Sequence, residues 1–317
     1  MIRTTALSAA VLGLCCWASP GAAESGSHRE GNVSVSTRND GDVRACGDIR
    51  IRFNDRDAAR SEERLSGLGP RGPLMIRLPE NSGAWVKGSD RSDFVILACK
   101  AAASAETLSR ISVSFHNGDL RVDGPEGGDW MVHFVVDAPR NGDIDAEARN
   151  GPLHFEGLSG SVKARVTNGP VGFHNSSESI DAQAQNGPIS LDRTSGNVQA
   201  RAENGPISVN GDSGNLRVNT ENGPISVRLS GDSWRTGRLD AHAVNGPLTL
   251  QIPDGYRSAT SVESSGHSPV RCRAAACDAA KKNWDDDSRR IEFNDGPPVV
   301  SLSTVNGPVS IESARRP

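Results

Sequence analysis

The chain has 317 residues, a formal net charge of −4, 34 Gly and 18 Pro, but only 7 Phe, 5 Trp and 1 Tyr. A charge this close to zero excludes charge-driven disorder, and it argues against a dedicated nucleic-acid binder, which carries a strong basic excess. The hydrophobic share of 35 % is compatible with a folded chain. The scarcity of aromatic rings predicts a core made of small aliphatic side chains.

Residues 1–23 have the pattern of a secretory signal peptide. Arg3 supplies the positive charge, residues 6–17 form a short apolar stretch, and residues 20–23 offer small side chains for cleavage. The apolar stretch is shorter than the roughly 20 residues needed to cross a bilayer, and no later stretch approaches that length. We therefore expect an exported protein, periplasmic or secreted to the cell surface, with no membrane span.

A lipoprotein signal ending at Cys15 or Cys16 is the alternative. It is disfavoured because Leu14, directly before Cys15, is bulky where such signals usually have a small residue.

Residues 24–71 are expected to form an irregular N-terminal segment or cap. Apolar alternation predicts strands at residues 33–35 and 49–53, and the spacing over residues 55–65 predicts a short helix. Residues 72–140 are expected to continue into a stack of strands and to cap its N-terminal end. Their predicted strands lie at residues 75–78, 94–99, 111–115 and 130–136.

The tripeptide Asn-Gly-Pro recurs through the rest of the chain. Its copies begin at Asn150, Asn168, Asn186, Asn204, Asn222, Asn245 and Asn306. The first four intervals are 18 residues each and the fifth is 23 residues. A fixed spacing of this kind is typical of repeat architectures.

Each repeat contains two short segments that alternate between apolar and polar residues. One follows the Asn-Gly-Pro, as in residues 189–191, and the other follows a turn, as in residues 198–202. Alternation with one apolar face indicates a half-buried strand, and an 18-residue unit cannot bury that face without stacking on its neighbours. The sequence therefore predicts an all-β, parallel β-solenoid over residues 72–317, built from two-strand repeats and interrupted by an insertion at residues 256–297.

The Asn residues of the Asn-Gly-Pro corners are predicted to stack as a ladder, each amide bonding to backbone or to the next Asn. Glycine supplies the backbone freedom that a sharp corner needs, and proline stiffens the corner. We expect this role to be mainly structural, with a row of amides that faces a ligand as the alternative.

Two outward rows of side chains follow from the stacking. The first strands present small groups, at His154, Gly172, Ser190, Ser208, Ser226 and Thr249. The second strands present a mixed charged surface, which includes Lys163, Arg165, Asp181, Gln183, Gln199, Arg201, Arg217, Asn219, Asp240 and His242. We expect plain solvated faces, with docking of a partner or polymer as the alternative.

Four cysteines remain after the signal peptide: Cys46, Cys99, Cys272 and Cys277. An even number in an oxidising compartment favours disulfides over reactive thiols. Cys272 and Cys277 are close in sequence, so we expect them to pair, which leaves Cys46 for Cys99. A zinc site is the alternative, but no Cys-x-x-Cys pair or adjacent His pair supports it.

Catalytic motifs do not emerge from the pattern. Residues 211–214 read Gly-Asp-Ser-Gly, the string around the nucleophile of trypsin-like proteases, but they occupy a turn of the repeat. The His residues are scattered, although His154 and His174 are close to one repeat apart and could be neighbours on the stack. No glycine loop of a phosphate-binding type and no calcium-roll turn occurs. We therefore predict no catalytic residue, no cofactor and no metal.

Several segments together resemble a bacterial family known as "putative adhesins", built from β-strand repeats. They are residues 135–144, the Asn-Gly-Pro repeats, residues 229–239 with Trp234, and residues 250–256. The resemblance covers roughly residues 72–313, and the cysteine-bearing insertion and long N-terminal segment depart from it. It implies an exported envelope protein with a parallel β-solenoid and without a described active site.

The function expected from these features is a non-enzymatic, adhesin-like binding or structural module whose partner is an unidentified protein or polymer of the envelope or surface. One alternative is a polysaccharide-processing β-helix enzyme, for which Asp181, Asp240, Arg201 and Arg217 are the candidate residues. The other is a periplasmic sensor or scaffold for a membrane partner.

Overall fold

A computed structural model describes residues 28–30, 33–37, 45–69, 72–127, 129–265 and 268–314. The predicted signal peptide lies outside the described residues, and so do Cys15 and Cys16 of the lipoprotein alternative.

The first strands in chain order are β1 (His28–Glu30), β2 (Val33–Thr37), β3 (Ile49–Phe53), β4 (Arg56–Asp57), β5 (Ala59–Leu68), β6 (Leu74–Arg77), β7 (Gly83–Ser89), β8 (Phe94–Ala102), β9 (Ser112–His116), β10 (Asp119–Asp123) and β11 (Trp130–Pro139). The repeats then contribute β12 (Ile144–Asn150), β13 (Leu153–Glu156), β14 (Ser161–Asn168), β15 (Val171–His174), β16 (Ser179–Asn186), β17 (Ile189–Asp192), β18 (Asn197–Asn204), β19 (Ile207–Gly211), β20 (Asn215–Asn222), β21 (Ile225–Leu229), β22 (Leu239–Asn245) and β23 (Leu248–Ile252). The last strands are β24 (Thr260–Ser265), β25 (Val270–Cys272), β26 (Lys281–Trp284), β27 (Ser288–Phe293), β28 (Val300–Asn306) and β29 (Val309–Ser313). Short helical segments in the described residues are α1 (Ala105–Ser109) and 3-10 turns at Cys46–Asp48 and Ala275–Asp278.

The described strands form three sheets. The front sheet has 13 strands, in the order β26-β27-β24-β28-β22-β20-β18-β16-β14-β12-β6-β10-β9. The back sheet has 12 strands, in the order β25-β29-β23-β21-β19-β17-β15-β13-β7-β11-β8-β5. The N-terminal sheet has four strands, β1 to β4 in sequence order. The predicted all-β class is confirmed.

The repeats alternate between the two large sheets, so that each repeat adds one strand to the front and one to the back. Neighbouring strands are parallel and in register at equal positions of the repeat, as in Ile180 with Val198 and Ile189 with Ile207. Equal positions therefore stack on one another, and the inward side chains of both sheets meet in a single hydrophobic cluster.

The core is aliphatic along the repeats, as the composition predicted, but it holds aromatic rings towards the N-terminal end. Phe94, Phe134, Phe155 and Phe173 are the largest fully buried side chains of the described residues. The rings of Phe155 and Phe173, on adjacent strands, lie nearly parallel with centroids 4.9 Å apart. The few phenylalanines of the chain are thus concentrated where the stack begins.

The stack does not follow the chain order at either end. At the N-terminal end β6 and β7 lie between the β10–β11 pair and the β12–β13 pair, although they come first in sequence. At the C-terminal end β28 and β29 lie directly on β22 and β23, while β24 and β25 lie beyond them. The insertion at residues 256–297 therefore supplies the outermost strands, and the antiparallel hairpin β26–β27 covers the free edge of β24.

The predicted helix over residues 55–65 is wrong, because these residues form β4 and most of β5. β5 pairs antiparallel with β8 through eight residue pairs, from Ala59 opposite Ala102 to Leu68 opposite Phe94, with a register shift between Leu65 and Leu68. Pairing with a neighbouring strand overrides the local spacing of apolar residues. Charged side chains such as Arg60, Glu62, Glu63 and Arg64 of β5 are typical of a strand at the edge of a sheet.

Two disulfides lie within the described residues, Cys46–Cys99 and Cys272–Cys277, which is the pairing that the spacing favoured. The first joins the N-terminal sheet to β8 of the back sheet. The second closes a short loop at the C-terminal end of the stack. Two disulfides fit an oxidising compartment.

Candidate functional site

The Asn residues of the corners form an unbroken ladder of side-chain hydrogen bonds. The Nδ2 of Asn168 donates to the Oδ1 of Asn150 at 2.8 Å, and the Nδ2 of Asn186 donates to the Oδ1 of Asn168 at 3.0 Å. The pattern repeats through Asn204, Asn222, Asn245 and Asn306, with distances of 3.0 to 3.1 Å. Each amide is bonded to its neighbours in the stack, as the predicted ladder requires, so the ladder helps to hold the corners together.

The corner glycines are required chiefly for space, which differs from the sequence-based reason of backbone freedom. Only Gly169 has a clearly positive φ, 141°, and Gly151, at 159°, is nearly extended. A Cβ atom on Gly205 would overlap the carbonyl oxygen of Gly187 in the preceding repeat, and a Cβ on Gly223 would overlap that of Gly205. Any side chain here would push two repeats apart.

The front sheet presents the mixed charged rows to solvent, and several of the charges are paired across strands. Arg165 lies 3.6 Å from Asp145, and Arg201 lies 4.0 Å from Asp181. Pairs of this kind at an exposed surface contribute little to stability. Their arrangement therefore bears more on what the surface can bind than on how the chain folds.

A groove with a volume of about 490 Å³ crosses the outer face of the front sheet near the Asn-Gly-Pro corners. It runs across β12, β14, β16 and β18 and reaches β20, along the axis of the stack. One wall carries Glu147, Arg165, Gln183 and Arg201, and the other carries Thr167, Gln185, Glu203 and Glu221. The floor lies over small residues, Ala148, Val166, Ala184 and Ala202. The sequence predicted the polar rows but not the groove.

The structure does not bring together the carboxylates that the sequence singled out. Asp181 is on β16 and Asp240 is on β22, which are separated by three strand spacings, or about 14 Å. Asp181 accepts hydrogen bonds from Gln183, and Asp240 is paired with Arg238 at 2.9 Å. Of the other two candidates, Arg201 lines the groove, while Arg217 stands opposite Asp240 on the neighbouring strand.

A different pair of carboxylates lies in the groove. Glu203 and Glu221 occupy equivalent positions on the adjacent strands β18 and β20, between the registered pairs Ala202–Thr220 and Asn204–Asn222. Neither forms an ion pair with any residue that the structure describes. Their spacing of one repeat unit was visible in the sequence, because each directly precedes the Asn of an Asn-Gly-Pro.

The outer face of the back sheet carries the predicted row of small residues. The hydroxyls of Ser190 and Ser208 are hydrogen-bonded at 3.3 Å. His154 and His174 are not neighbours, because His154 stands opposite Gly172 and His174 stands opposite Glu156. His154 stacks on Trp85 with ring centroids 5.5 Å apart, whereas the Nδ1 of His174 lies 2.6 Å from the Oδ2 of Asp192.

The Gly-Asp-Ser-Gly turn packs against residues of the longer, 23-residue interval of the repeats. Asp212 accepts hydrogen bonds from Ser213 at 3.1 Å and from Arg235 at 2.6 Å. Trp234 packs against the same turn, since its Nε1 donates to the carbonyl of Gly214 at 3.0 Å. Tyr256 is buried nearby, and its burial raises the pKa of its phenol to about 12. These contacts describe a corner of the fold and not a nucleophile with a base.

No set of three or more His, Cys, Asp or Glu side chains in the described part of the chain is arranged to hold a metal ion. Within the same residues, no helix has the length and apolar character to cross a bilayer.

Comparison with known proteins leaves the family open. No protein-family model matches the chain, and no curated protein matches it. The solved structure of a putative cell adhesion protein from Clostridium sporogenes ATCC 15579 is 12 % identical over 81 % of this chain and 100 % of its own, with a TM-score of 0.22. A putative adhesin from Bacteroides fragilis NCTC 9343 is 10 % identical over 80 % of this chain and 97 % of its own, with a TM-score of 0.24. Likenesses this weak assign neither a fold nor a function to this chain.

Proposed function

We propose that the chain is an exported, non-enzymatic β-solenoid of the cell envelope, which binds an extended polymer along the groove of its front sheet. It would act as an adhesin-like module, or as a structural one where the polymer belongs to the same cell. The observation that carries the proposal is the groove itself, an open channel parallel to the stack axis with polar groups repeated on both walls.

The solenoid part of the proposal rests on the order of the strands. Each repeat passes from front sheet to back sheet and returns one strand further along, with equal residues in register. Six such repeats at a strand spacing of about 4.8 Å give a rod of roughly 29 Å. A rod of this kind offers the same chemical groups at a fixed interval, which suits a ligand that is itself a repeating chain.

The chemistry of the groove favours a polar, uncoiled ligand. Gln183, Gln185 and Thr167 provide donors and acceptors in its middle, while Arg201, Glu203 and Glu221 provide charges at one end. Glu203 and Glu221 form no ion pair with described residues, so a ligand can engage them without breaking an internal contact. Among the described residues no aromatic ring lines the groove, so binding would depend on hydrogen bonds and charge rather than on ring stacking.

Co-sedimentation of the purified protein with insoluble peptidoglycan sacculi and with whole cell-envelope material tests the proposal. We expect the native protein to sediment with one of them, and Arg201→Glu, which reverses a charge inside the groove, to weaken this binding at least tenfold. Arg271→Glu makes the same charge change on an exposed residue at the end of the stack, outside the groove. Equal loss in both variants, or no binding by the native protein, would contradict the proposal.

An enzymatic function is the second candidate, and the adjacent carboxylates Glu203 and Glu221 are the observation that favours it. Paired carboxylates about 5–10 Å apart carry out glycoside hydrolysis in many enzymes. Release of sugars from a uronate-containing or neutral polysaccharide, abolished by Glu203→Gln and retained in Asp240→Asn, would replace the binding proposal with this one.

A further inference from the structure

The N-terminal sheet lies on the outer face of the back sheet and forms a hydrophobic cluster separate from the main core. Its side of the contact consists of Ile49, Ile51 and Phe53 with Val35 packed against them. The back sheet contributes Trp85, Ala101, Met131 and Val135. This small cluster is all that the described residues show of an apolar contact between the two parts.

Two connections hold the N-terminal sheet beside the stack. The disulfide Cys46–Cys99 ties the turn before β3 to β8 of the back sheet. At the other side the chain passes from β4 directly into β5, and the Nη1 of Arg60 donates to the carbonyl of Ile49 at 2.8 Å. The sheet is therefore held covalently by the disulfide and by the chain that leads into β5, while its apolar contact with Trp85 and Met131 is non-covalent.

His133 is buried on the same outer face, between two residues of this contact, Met131 and Val135. On β11 the side chains of Val132 and Phe134 belong to the main core, so His133, between them, points to the outer face with Met131 and Val135. It is 5 % exposed, and its Nε2 has no hydrogen-bond partner. In the strand register it stands opposite Cys99, next to the tethering disulfide.

Among the residues that the structure describes, no carboxylate faces His133 closely enough to stabilise a charge on the ring. In the register of the back sheet, His133 stands opposite Gly83 on one side and Cys99 on the other. Glu62, which is exposed, stands opposite Cys99 on β5 and is therefore two strands away from His133. Lys87 and Asp137 are opposite each other further along their strands, four residues from Gly83 and His133. On β3, Arg50 and Arg52 alternate with the apolar residues that face the back sheet.

The charged form of His133 is therefore strongly disfavoured while the N-terminal sheet is in place. Burial lowers the pKa of its imidazole to about 3, and the nearby His154 contributes in the same direction. An imidazole in contact with water titrates near 6.5. A state in which His133 is hydrated thus takes up a proton far more readily than the closed state, in which the N-terminal sheet lies on the back sheet.

We propose that the N-terminal sheet is an acid-operated latch: protonation of His133 releases it from the back sheet, and the Cys46–Cys99 disulfide keeps it attached. Release uncovers Trp85, Met131 and Val135 on the same face as the row of small residues from Ser190 to Ser226. The stack itself stays intact, since its core cluster is separate from the cluster under the latch.

The sign of the pH dependence follows from the lowered pKa. Above about pH 6.5 His133 is neutral in both the closed and the released state, so the full preference for the closed state is present there. As the pH falls from 6.5 towards 3, only the released state binds the proton, so the ratio of released to closed molecules rises by up to tenfold per pH unit. Below about pH 3 there is no further gain.

Hydrogen exchange of the full chain between pH 4 and pH 7, corrected for intrinsic exchange, tests the latch. We expect protection of peptides from β3 to fall by up to tenfold per pH unit on acidification, while peptides from β18 and β20 keep their protection. His133→Phe should abolish this dependence, and His133→Gln provides a second non-titrating variant if the phenylalanine does not fit. His116→Gln, at an exposed histidine of β9, is the matched control and should behave as the native chain.

Loss of β3 protection in His133→Phe or His133→Gln at the same pH as in the native chain would overturn the proposal. Loss of protection in β3 and β18 together would overturn it as well, because it would mean acid unfolding of the whole chain.

Discussion

From Gly169 onward, the corner glycine of each repeat stands directly against the corner glycine of the adjacent repeat in the stack. The Asn-Gly-Pro pattern was enough to locate these corners and to predict the Asn ladder, because both depend on one repeat and its spacing. The reason for glycine was not predictable, since it depends on how closely the backbone of the next repeat approaches. Five of the seven corner glycines have no positive φ, so conformational freedom alone does not explain them.

Gly205→Ala should therefore destabilise the chain, by about 1–3 kcal/mol or more, because its Cβ would overlap backbone atoms of Gly187 that cannot turn aside. Gly47→Ala is the matched control, since a Cβ there meets no atom within 4 Å and its φ is not positive. Urea unfolding followed by circular dichroism gives both values. Equal effects of the two substitutions would show that the close approach is not what requires glycine.

The strands of the repeats were predictable because alternation with a period of two holds in every one of them. Ala200 illustrates this, since its place in the pattern put it inside and it is 0 % exposed. The helix predicted over residues 55–65 shows where such reasoning ends, because β5 is a strand only through its pairing with β8. The order of the strands at the two ends was also beyond prediction, since the strands β6 to β11 and β24 to β27 carry no Asn-Gly-Pro that would reveal their neighbours.

Ala200→Leu should overpack the interior between the two sheets and lower the free energy of unfolding by about 1–3 kcal/mol. The adjacent Gln199 is exposed, so Gln199→Leu adds a leucine to the same strand on its outer side. Thermal unfolding of the two variants and of the native chain separates the effect of overpacking the interior from the effect of adding a leucine to the strand. A melting temperature unchanged by Ala200→Leu would place this residue outside the core.

As a whole the molecule is a stack whose surfaces derive from the register of its repeats. The mixed charges of the front sheet were readable from the sequence, but the groove is formed by residues of several strands together. The latch at His133 was equally hidden, because it depends on two distant segments, around Ile51 and Met131, that meet only in the folded chain. Such features arise between elements and leave no local pattern.

The register at the C-terminal end is the most distinctive consequence of this architecture, because the last repeat returns to lie on a strand far away in sequence. Thr249 and Ser310 stand opposite each other on β23 and β29. Strands in contact are about 4.8 Å apart, which permits a disulfide between them, whereas a separation of two strands does not.

Oxidation of the double variant Thr249→Cys with Ser310→Cys, read by mass spectrometry of the linked peptides, tests this register directly. We expect a disulfide between residues 249 and 310, and none in the control Ser226→Cys with Ser310→Cys, whose positions are two strands apart. A link in the control pair without one between residues 249 and 310 would contradict the stack described above.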